Sequence, residues 1–287
     1  MPQDLEPVRS LGLGRLCELP MDGIRPAPPY PGIERIEARF GGDAYAMHRH
    51  DTYALGVTLQ GVQRFRYRGA ERASLPGNVI VLHPDEAHDG GAATPAGLRY
   101  RMLYLEPALL LQALGDRPAR LPFFATPVLQ DAGLRDALLA ALGRLAETLE
   151  PLFVDDLLAR LADLLAQHAG RRARPVSGLA WRQAHRARDH LAENACRAVD
   201  SIELEAVTGL DRYALARHFR ALFATSPHRF LVMRRLQQAR RLIEAGEALA
   251  DTAAATGFAD QSHLTRHFKK AYGVTPGRWA ALVAAGR

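Results

Sequence analysis

Cysteine is nearly absent. The 287 residues contain two, Cys17 and Cys196, far apart and in no metal-type spacing, which excludes a disulfide framework and a cysteine zinc finger. Long apolar runs are missing as well: the longest, around Ala108–Leu114 and Leu134–Leu142, are short or interrupted by Asp and Arg. A membrane span needs ~18–20 such residues, so no membrane partner is expected. The N-terminus carries Asp4 and Glu6 where a secretory leader would be basic and then apolar, which points to the cytoplasm. No Gly-x4-Gly-Lys loop, Gly-x-Ser-x-Gly elbow or His-Glu-x2-His pair occurs, and with them go the simplest signatures of nucleotide-phosphate, serine-hydrolase and zinc-peptidase chemistry. What is present is an average globular composition, 48% apolar and 24% charged. The chain exceeds a typical domain of ~100–150 residues, so two domains are expected.

The charge is distributed unevenly between them. Residues 1–170 hold 17 Arg against 21 Asp and Glu, a net of −4, whereas residues 171–287 hold 20 Lys and Arg against 10 Asp and Glu, a net of +10. A basic C-terminal half beside a slightly acidic one is the footprint of a domain that meets phosphate. The same half contains an internal repeat at an offset of 49 (266 − 217): Arg217-His-Phe-Arg-Ala-Leu-Phe223 before Ser226-Pro227 matches Arg266-His-Phe-Lys-Lys-Ala-Tyr272 before Thr275-Pro276. Each unit reads as two short helices around a glycine turn, Ile202–Thr208 and Arg212–Phe223 about Gly209, then Leu249–Thr256 and Gln261–Tyr272 about Gly257. At ~100° per residue Leu215, Phe219 and Phe223 form one stripe, as do Leu264, Phe268 and Tyr272; these are core. Opposite them lie Tyr213, Arg217 and Arg220, and Ser262, Arg266 and Lys269. Arginine there can pair with guanine or hold phosphate, and Gln261, Ser262 and Thr265 near a helix start can hydrogen-bond base edges in a major groove. A long helix, His228–Ala245, joins the units, which would place both second helices about one DNA turn, ~34 Å, apart.

Ile202-Glu-Leu-Glu-Ala-Val-Thr-Gly-Leu210, Leu215-Ala-Arg-His-Phe-Arg220, the connector Arg235–Ile243, and Gly257-Phe-Ala-Asp-Gln-Ser-His-Leu-Thr-Arg-His-Phe268 with Gly273-Val-Thr-Pro-Gly277 resemble the DNA-binding domain of AraC/XylS-type transcription regulators over residues 181–280. The resemblance implies base-reading positions at Tyr213, Ala216 and Arg217, and at Gln261, Ser262, Thr265 and Arg266. Ala216 departs in chemistry, since a methyl group can touch thymine but cannot hydrogen-bond.

From Ile33 to Leu105 apolar and polar residues alternate between glycine turns, predicting short antiparallel strands closed into a sandwich or barrel. Gly42 followed by His48-Arg-His50, then Gly77–Pro84 and His88, resembles the two motifs of cupins and the effector-binding domain of the same regulator family over residues 30–105. His48 and His50, two apart on a strand, share a face that His88 can join. The three imidazoles are read either as ligands of zinc or another divalent ion or as polar pocket lining; the carboxylate of metal-binding cupins is missing, Ala54 and Leu55 standing in its place. Tyr53, Tyr67, Arg101 and Tyr104 are the other candidate effector contacts.

Leu134, Leu138, Leu142, Leu145 and Leu149 make one stripe over 131–149; Pro151 ends it, and Leu157, Leu158, Leu161, Leu164 and Leu165 make a second over 153–168. This helical hairpin either covers the barrel or forms a homodimer contact. The expected organisation is α+β: a cupin-like sensing domain over 1–110, the hairpin over 111–170, a linker over 171–180, and an all-α domain with two helix-turn-helix units over 181–287. The expected protein is a transcription regulator, an activator, that binds double-stranded DNA under a small-molecule effector and contacts RNA polymerase, with no catalytic residues and no obligatory cofactor. The rival from another class is a metal-dependent cupin enzyme with a DNA-binding tail.

Overall fold

The computed structural model describes residues 22–115, 121–168 and 177–287; the expected linker positions 171–176 and Cys17 lie outside them. The N-terminal half folds into β1 (Gly23–Pro26), β2 (Ile33–Phe40), β3 (Asp43–His48), β4 (Tyr53–Gln60), β5 (Gln63–Tyr67), β6 (Ala70–Ser74), β7 (Val79–Leu82), β8 (His88–Ala92), β9 (Leu98–Leu105) and β10 (Val128–Leu129). All pairs are antiparallel, in a six-stranded sheet ordered β1-β2-β9-β4-β7-β10 and a four-stranded sheet ordered β3-β8-β5-β6. β5 shows the expected alternation, with Gln63, Phe65 and Tyr67 buried and Arg64 and Arg66 exposed. β4 instead is buried from Tyr53 to Thr58, because both of its faces are covered: Ala54 joins the interior between the sheets, while Tyr53, Leu55 and Val57 pack under helices.

Those helices are α1 (Pro107–Leu114), α2 (Ala132–Leu142) and α3 (Pro151–His168). The leucine stripes are consumed by this packing, since Leu134, Leu138, Leu142, Leu157, Leu161 and Leu165 are all buried in one cluster with the outer face of β4, β7 and β9. They cover the sheet. The stripe expected to run as one helix to Leu149 ends at Leu142, and the reason is a long-range contact. The buried Arg35 on β2 donates to the carbonyls of Ala141 (2.9 Å), Arg144 (3.2 Å) and Glu147 (2.6 Å). It satisfies carbonyls that a continued helix would have used internally, so the chain turns after Gly143 while Leu145 and Leu149 stay buried.

On the neighbouring rung Glu37 accepts hydrogen bonds from Arg39 (3.2 Å), Arg99 (3.1 Å) and Arg101 (2.8 Å). Burial alone would raise its carboxyl, but Arg99 and Arg101 outweigh that and hold it at about 2. A depressed carboxylate contributes stability that is present above its ordinary value and lost as pH falls toward the folded one. The expected result is a fall in the urea unfolding midpoint between about pH 4.5 and 2 that is shallower in Glu37→Gln; parallel curves for the two proteins would show that Glu37 carries no such contribution.

The C-terminal half is helical: α4 (Gly178–Glu193), α5 (Ser201–Thr208), α6 (Arg212–Phe223), α7 (Pro227–Glu244), α8 (Leu249–Ala255), α9 (Gln261–Tyr272) and α10 (Pro276–Gly286). α4 begins inside the stretch read as linker, with Ser177 as its cap. Asp211 and Asp260 accept from the first free backbone amides of α6 and α9, as Ser226 and Thr275 do for α7 and α10. Each repeat thus starts and stops where its local chemistry dictates. One difference stands out between the repeats: the left-handed residue that ends α9 is Gly273, whereas α6 ends on Ala224 at φ 55°.

The halves share their cores. Ile36, Ala54, Phe65, Tyr100 and Met102 of the barrel form one cluster with Met233, Leu236, Leu264, Phe268 and Trp279. Ala108 and Leu111 of α1 join Leu191, Leu215, Phe219 and Phe223 around the first helix-turn-helix unit. Among the described residues no helix is long and apolar enough to cross a membrane.

Candidate nucleic-acid interface and ligand cavity

Burial divides α6 and α9 as their periodicity requires. Leu215, Phe219 and Phe223 are buried on α6, and Leu264 and Phe268 on α9, where Ala271 takes the third buried place and Tyr272, expected there, is half-buried against the core. Tyr213, Arg217 and Arg220 are exposed on the first helix, as are Gln261, Ser262, Arg266 and Lys269 on the second, while Ala216 and Thr265 are half-buried. Tyr213 is 71% exposed, unusual for an aromatic side chain with nothing to bind. None of Arg217, Arg220, Arg266 and Lys269 makes a salt bridge or side-chain hydrogen bond among the described residues.

The arginines of α7 are in the opposite situation. Arg234, on the connector, pairs with Asp51 at 2.7 Å and with Glu106; Arg240 pairs with Glu34 at 2.6 Å and Arg229 with Asp85 at 2.5 Å. Burial opposes the charge on Arg234 and Arg240, but Asp51 with Glu106 and Glu34 respectively hold both above the usual guanidinium range. Arg235 donates to the carbonyls of Ala195, Arg197 and Gly257, bracing the first helix pair against the second. The basic charge of this half is thus split: α7 spends it on acidic residues of the barrel and on backbone carbonyls, and α6 and α9 present it outward. The acidic partners of Arg229, Arg234 and Arg240 lie more than 100 positions away, so no local pattern in the sequence connects them.

β3 is joined to the end of α9 by backbone hydrogen bonds, Ala46 N–H to Gly273 O (3.0 Å) and Arg49 N–H to Lys270 O (3.2 Å). The barrel therefore satisfies carbonyls that the last turn of α9 leaves free. Gly273 has φ 73°, and a Cβ there would lie 2.7 Å from Ala46 O and 2.8 Å from His48 Nδ1, so this approach requires glycine for both conformation and room.

A small cavity of about 40 Å³, partly open to solvent, lies at this seam. Glu34, Ile36, Tyr45, His48, His50 and Tyr104 line it from the barrel, and Met233, Gln237, Arg240, Ala271, Tyr272 and Trp279 from the helices. Burial raises the phenols of Tyr45, Tyr104 and Tyr272, which keeps them protonated and able to donate. The Tyr272 hydroxyl is buried with no hydrogen-bond partner among the described residues.

The sequence candidates for effector contact separate into two groups and a remainder. His48, His50, His88 and Tyr104 come together, with ring centroids 4.3 Å apart for His48 and His88, 4.9 Å for His50 and His88, and 5.2 Å for His50 and Tyr104. Tyr53 and Tyr67 lie elsewhere, around His83. The Tyr67 hydroxyl meets His83 Nδ1 at 2.8 Å, Phe124 N–H donates to His83 Nε2 at 2.9 Å, and the Tyr53 hydroxyl donates to Pro122 O at 2.8 Å. Both hydroxyls are thereby occupied within the protein, and Arg101 is occupied by Glu37. His83 sat in the motif ending at Pro84 without a role of its own; its place in this network depends on residues 122–124, which no local pattern connects to it.

Two family models match the chain: an AraC-like ligand binding domain over residues 30–162 and a helix-turn-helix domain over residues 204–281. The first spans the barrel from β2 onward together with α2 and most of α3. An uncharacterized HTH-type transcriptional regulator, YbfI of Bacillus subtilis, is 28% identical over 243 residues, covering 80% of this chain and 86% of the relative. The HTH-type transcriptional activator RhaS of Klebsiella pneumoniae is 27% identical over 258 residues, covering 84% and 89%. Crystal structures of ToxT from Vibrio cholerae share the fold, with a TM-score of 0.63 at 9% identity over 88% of this chain and 99% of that one; one of them, with the same TM-score at 12% identity, holds an unsaturated fatty acid.

Proposed function

The chain belongs to the AraC family of transcription regulators, and from that premise we propose that α6 and α9 enter two successive major-groove segments of one DNA site. Tyr213, Ala216 and Arg217 of the first helix and Gln261, Ser262, Thr265 and Arg266 of the second face the bases, with Arg220 and Lys269 on phosphate. The observation that carries this reading is the division of charge: Arg217, Arg220, Arg266 and Lys269 have no ion-pair or side-chain hydrogen-bond partner among the described residues, whereas Arg229, Arg234 and Arg240 of α7 are paired with acids of the barrel half. An arginine that pairs bidentately with guanine contributes ~1–3 kcal/mol of discrimination. Arg217→Ala and Arg266→Ala should each weaken binding to a selected operator by that amount, roughly 5- to 150-fold, and relax the sequence preference at one position of the site. Unchanged operator affinity in both variants contradicts the assignment.

We place the effector at the seam, where the small cavity adjoins an open cleft of about 500 Å³ that shares Glu34, Ile36, Tyr104, Gln237, Arg240 and Trp279 with it. A small amphipathic molecule fits its chemistry, with an apolar body against Ile36, Met233 and Trp279 and polar atoms toward the Tyr45, Tyr104 and Tyr272 hydroxyls. Tyr272 is the last residue of α9, so a molecule that satisfies its orphaned hydroxyl touches a DNA-reading helix directly. Such a ligand shifts the hold of barrel on helices only by the difference in its affinity for the two arrangements. In this reading the regulator works in the cytoplasm, meets RNA polymerase at the promoter as an activator in the manner RhaS is named for, and performs no catalytic step.

A further inference from the structure

Three buried histidines converge beside the seam, and the Nε2 of one of them, His50, has no hydrogen-bond partner among the described residues. His48 Nδ1 lies 2.9 Å from Ala46 O, His50 Nδ1 2.9 Å from Thr52 O and His88 Nδ1 3.0 Å from Glu86 O. A carbonyl only accepts, so His50 and His88 carry a proton on Nδ1 and offer Nε2 as a lone pair, while His48 also meets the His88 backbone carbonyl and must give up that contact to bind an ion. Fixing a ring by a backbone carbonyl on one nitrogen is how proteins orient imidazole ligands toward a metal through the other. One nitrogen from each of the three residues lies within 4.8 Å of the other two, a spread that turning the rings can close onto one ion. His50 Nε2 is buried with no hydrogen-bond partner among the described residues. An orphaned buried polar atom costs ~1–3 kcal/mol unless something occupies it.

We propose that His48, His50 and His88 bind a divalent transition-metal ion of the zinc class through their Nε2 atoms, at the point where the barrel holds the end of α9. The donor set favours such an ion over magnesium or calcium, because it is three imidazoles with no carboxylate. The nearest acids in sequence are committed elsewhere, Asp51 to Arg234 and Asp89 to Arg66. Three protein ligands leave a coordination position open, and His48 and His50 also line the cavity. The consequence for the protein is mechanical. β3 carries His48, donates to Gly273 O from Ala46, and pairs with His88 of β8, so an ion clamping these strands stiffens the surface on which α9 ends.

The test uses the full-length, tag-free chain, stripped of metal by chelator and dialysed against zinc or cobalt(II). Metal analysis should give one equivalent per chain, and cobalt should give visible bands of a nitrogen-ligated site. Zinc should raise the thermal midpoint and shift the imidazole 15N resonances of three histidines. His50→Ala with His88→Ala should lower affinity at least 100-fold and abolish the thermal shift. His263→Gln with His267→Gln, which removes the adjacent ring pair on α9, should leave both intact. Folded wild-type protein that retains no stoichiometric ion, or that binds through the α9 pair instead, overturns the proposal. The 15N measurement needs no variant, so a failure of the double alanine variant to fold does not decide the outcome. The metal site and the DNA assignment fail independently, since neither readout involves DNA.

Discussion

Arg234→Met should destabilise the protein by about 3–5 kcal/mol, because it removes the shared cation of two carboxylates and leaves one of them deeply buried. Asp51 is only 3% exposed and Arg234 10%, so water cannot replace the lost partner. Burial already raises the Asp51 carboxyl, with Arg234 the largest opposing influence; without the guanidinium the group must take up a proton or break the seam. Replacing the whole set, Arg234→Met with Asp51→Asn and Glu106→Gln, should recover much of the loss, since a buried pair exchanged for neutral groups is often close to neutral in stability. Urea unfolding followed by the fluorescence of Trp181 and Trp279 checks both. A single variant within 1 kcal/mol of wild type would mean that the contact contributes little and that the apolar clusters alone join the halves.

Phe268→Ala should cost a similar ~3–5 kcal/mol, the usual loss for a large aromatic side chain deleted from a close-packed core. Phe268 is fully buried and meets Tyr272 at 4.6 Å and Trp279 at 6.4 Å between ring centroids. It lies in the cluster that joins the second helix-turn-helix unit to the barrel. Phe219, its repeat counterpart, is equally buried but belongs to the cluster around α1 and the first unit. The two alanine variants should therefore fail in different places. Phe268→Ala should increase amide exchange across α8–α10 and the barrel seam, and Phe219→Ala across α4–α6. Indistinguishable exchange patterns would show that the helical half unfolds as one body.

What could be read from sequence was what local chemistry determines. The recognition helices followed from a repeat at an offset of 49, a glycine turn in each unit and a 3.6-residue stripe, each a pattern of the linear chain. The histidine cluster was legible for the same reason: a period of two puts His48 and His50 on one face. The seam was not. Asp51 and Arg234 are 183 positions apart, and nothing in either segment specifies the other. Arg35, which ends α2 across 106 positions, was invisible for the same reason, and the helix was extended to Leu149 on its leucine spacing alone. Tyr53, Tyr67 and Arg101 show the limit of residue type as evidence, since each is polar and barrel-borne but already engaged by Pro122, His83 or Glu37. The leucine stripes on α2 and α3 were equally compatible with a dimer and with a covered sheet until burial placed them against β4 and β9.

The central claim is that one chain reads two groove segments through two unpaired, outward-facing helices. Selection of bound sequences from a randomised duplex library, repeated at two salt concentrations, tests it most directly. The account predicts an enriched motif of two elements about one turn, ~10–10.5 base pairs, apart, in which Arg217→Ala degrades one element and Arg266→Ala the other. Salt-labile binding with no enriched sequence would contradict it, because it would reduce the basic faces of α6 and α9 to a general attraction for phosphate.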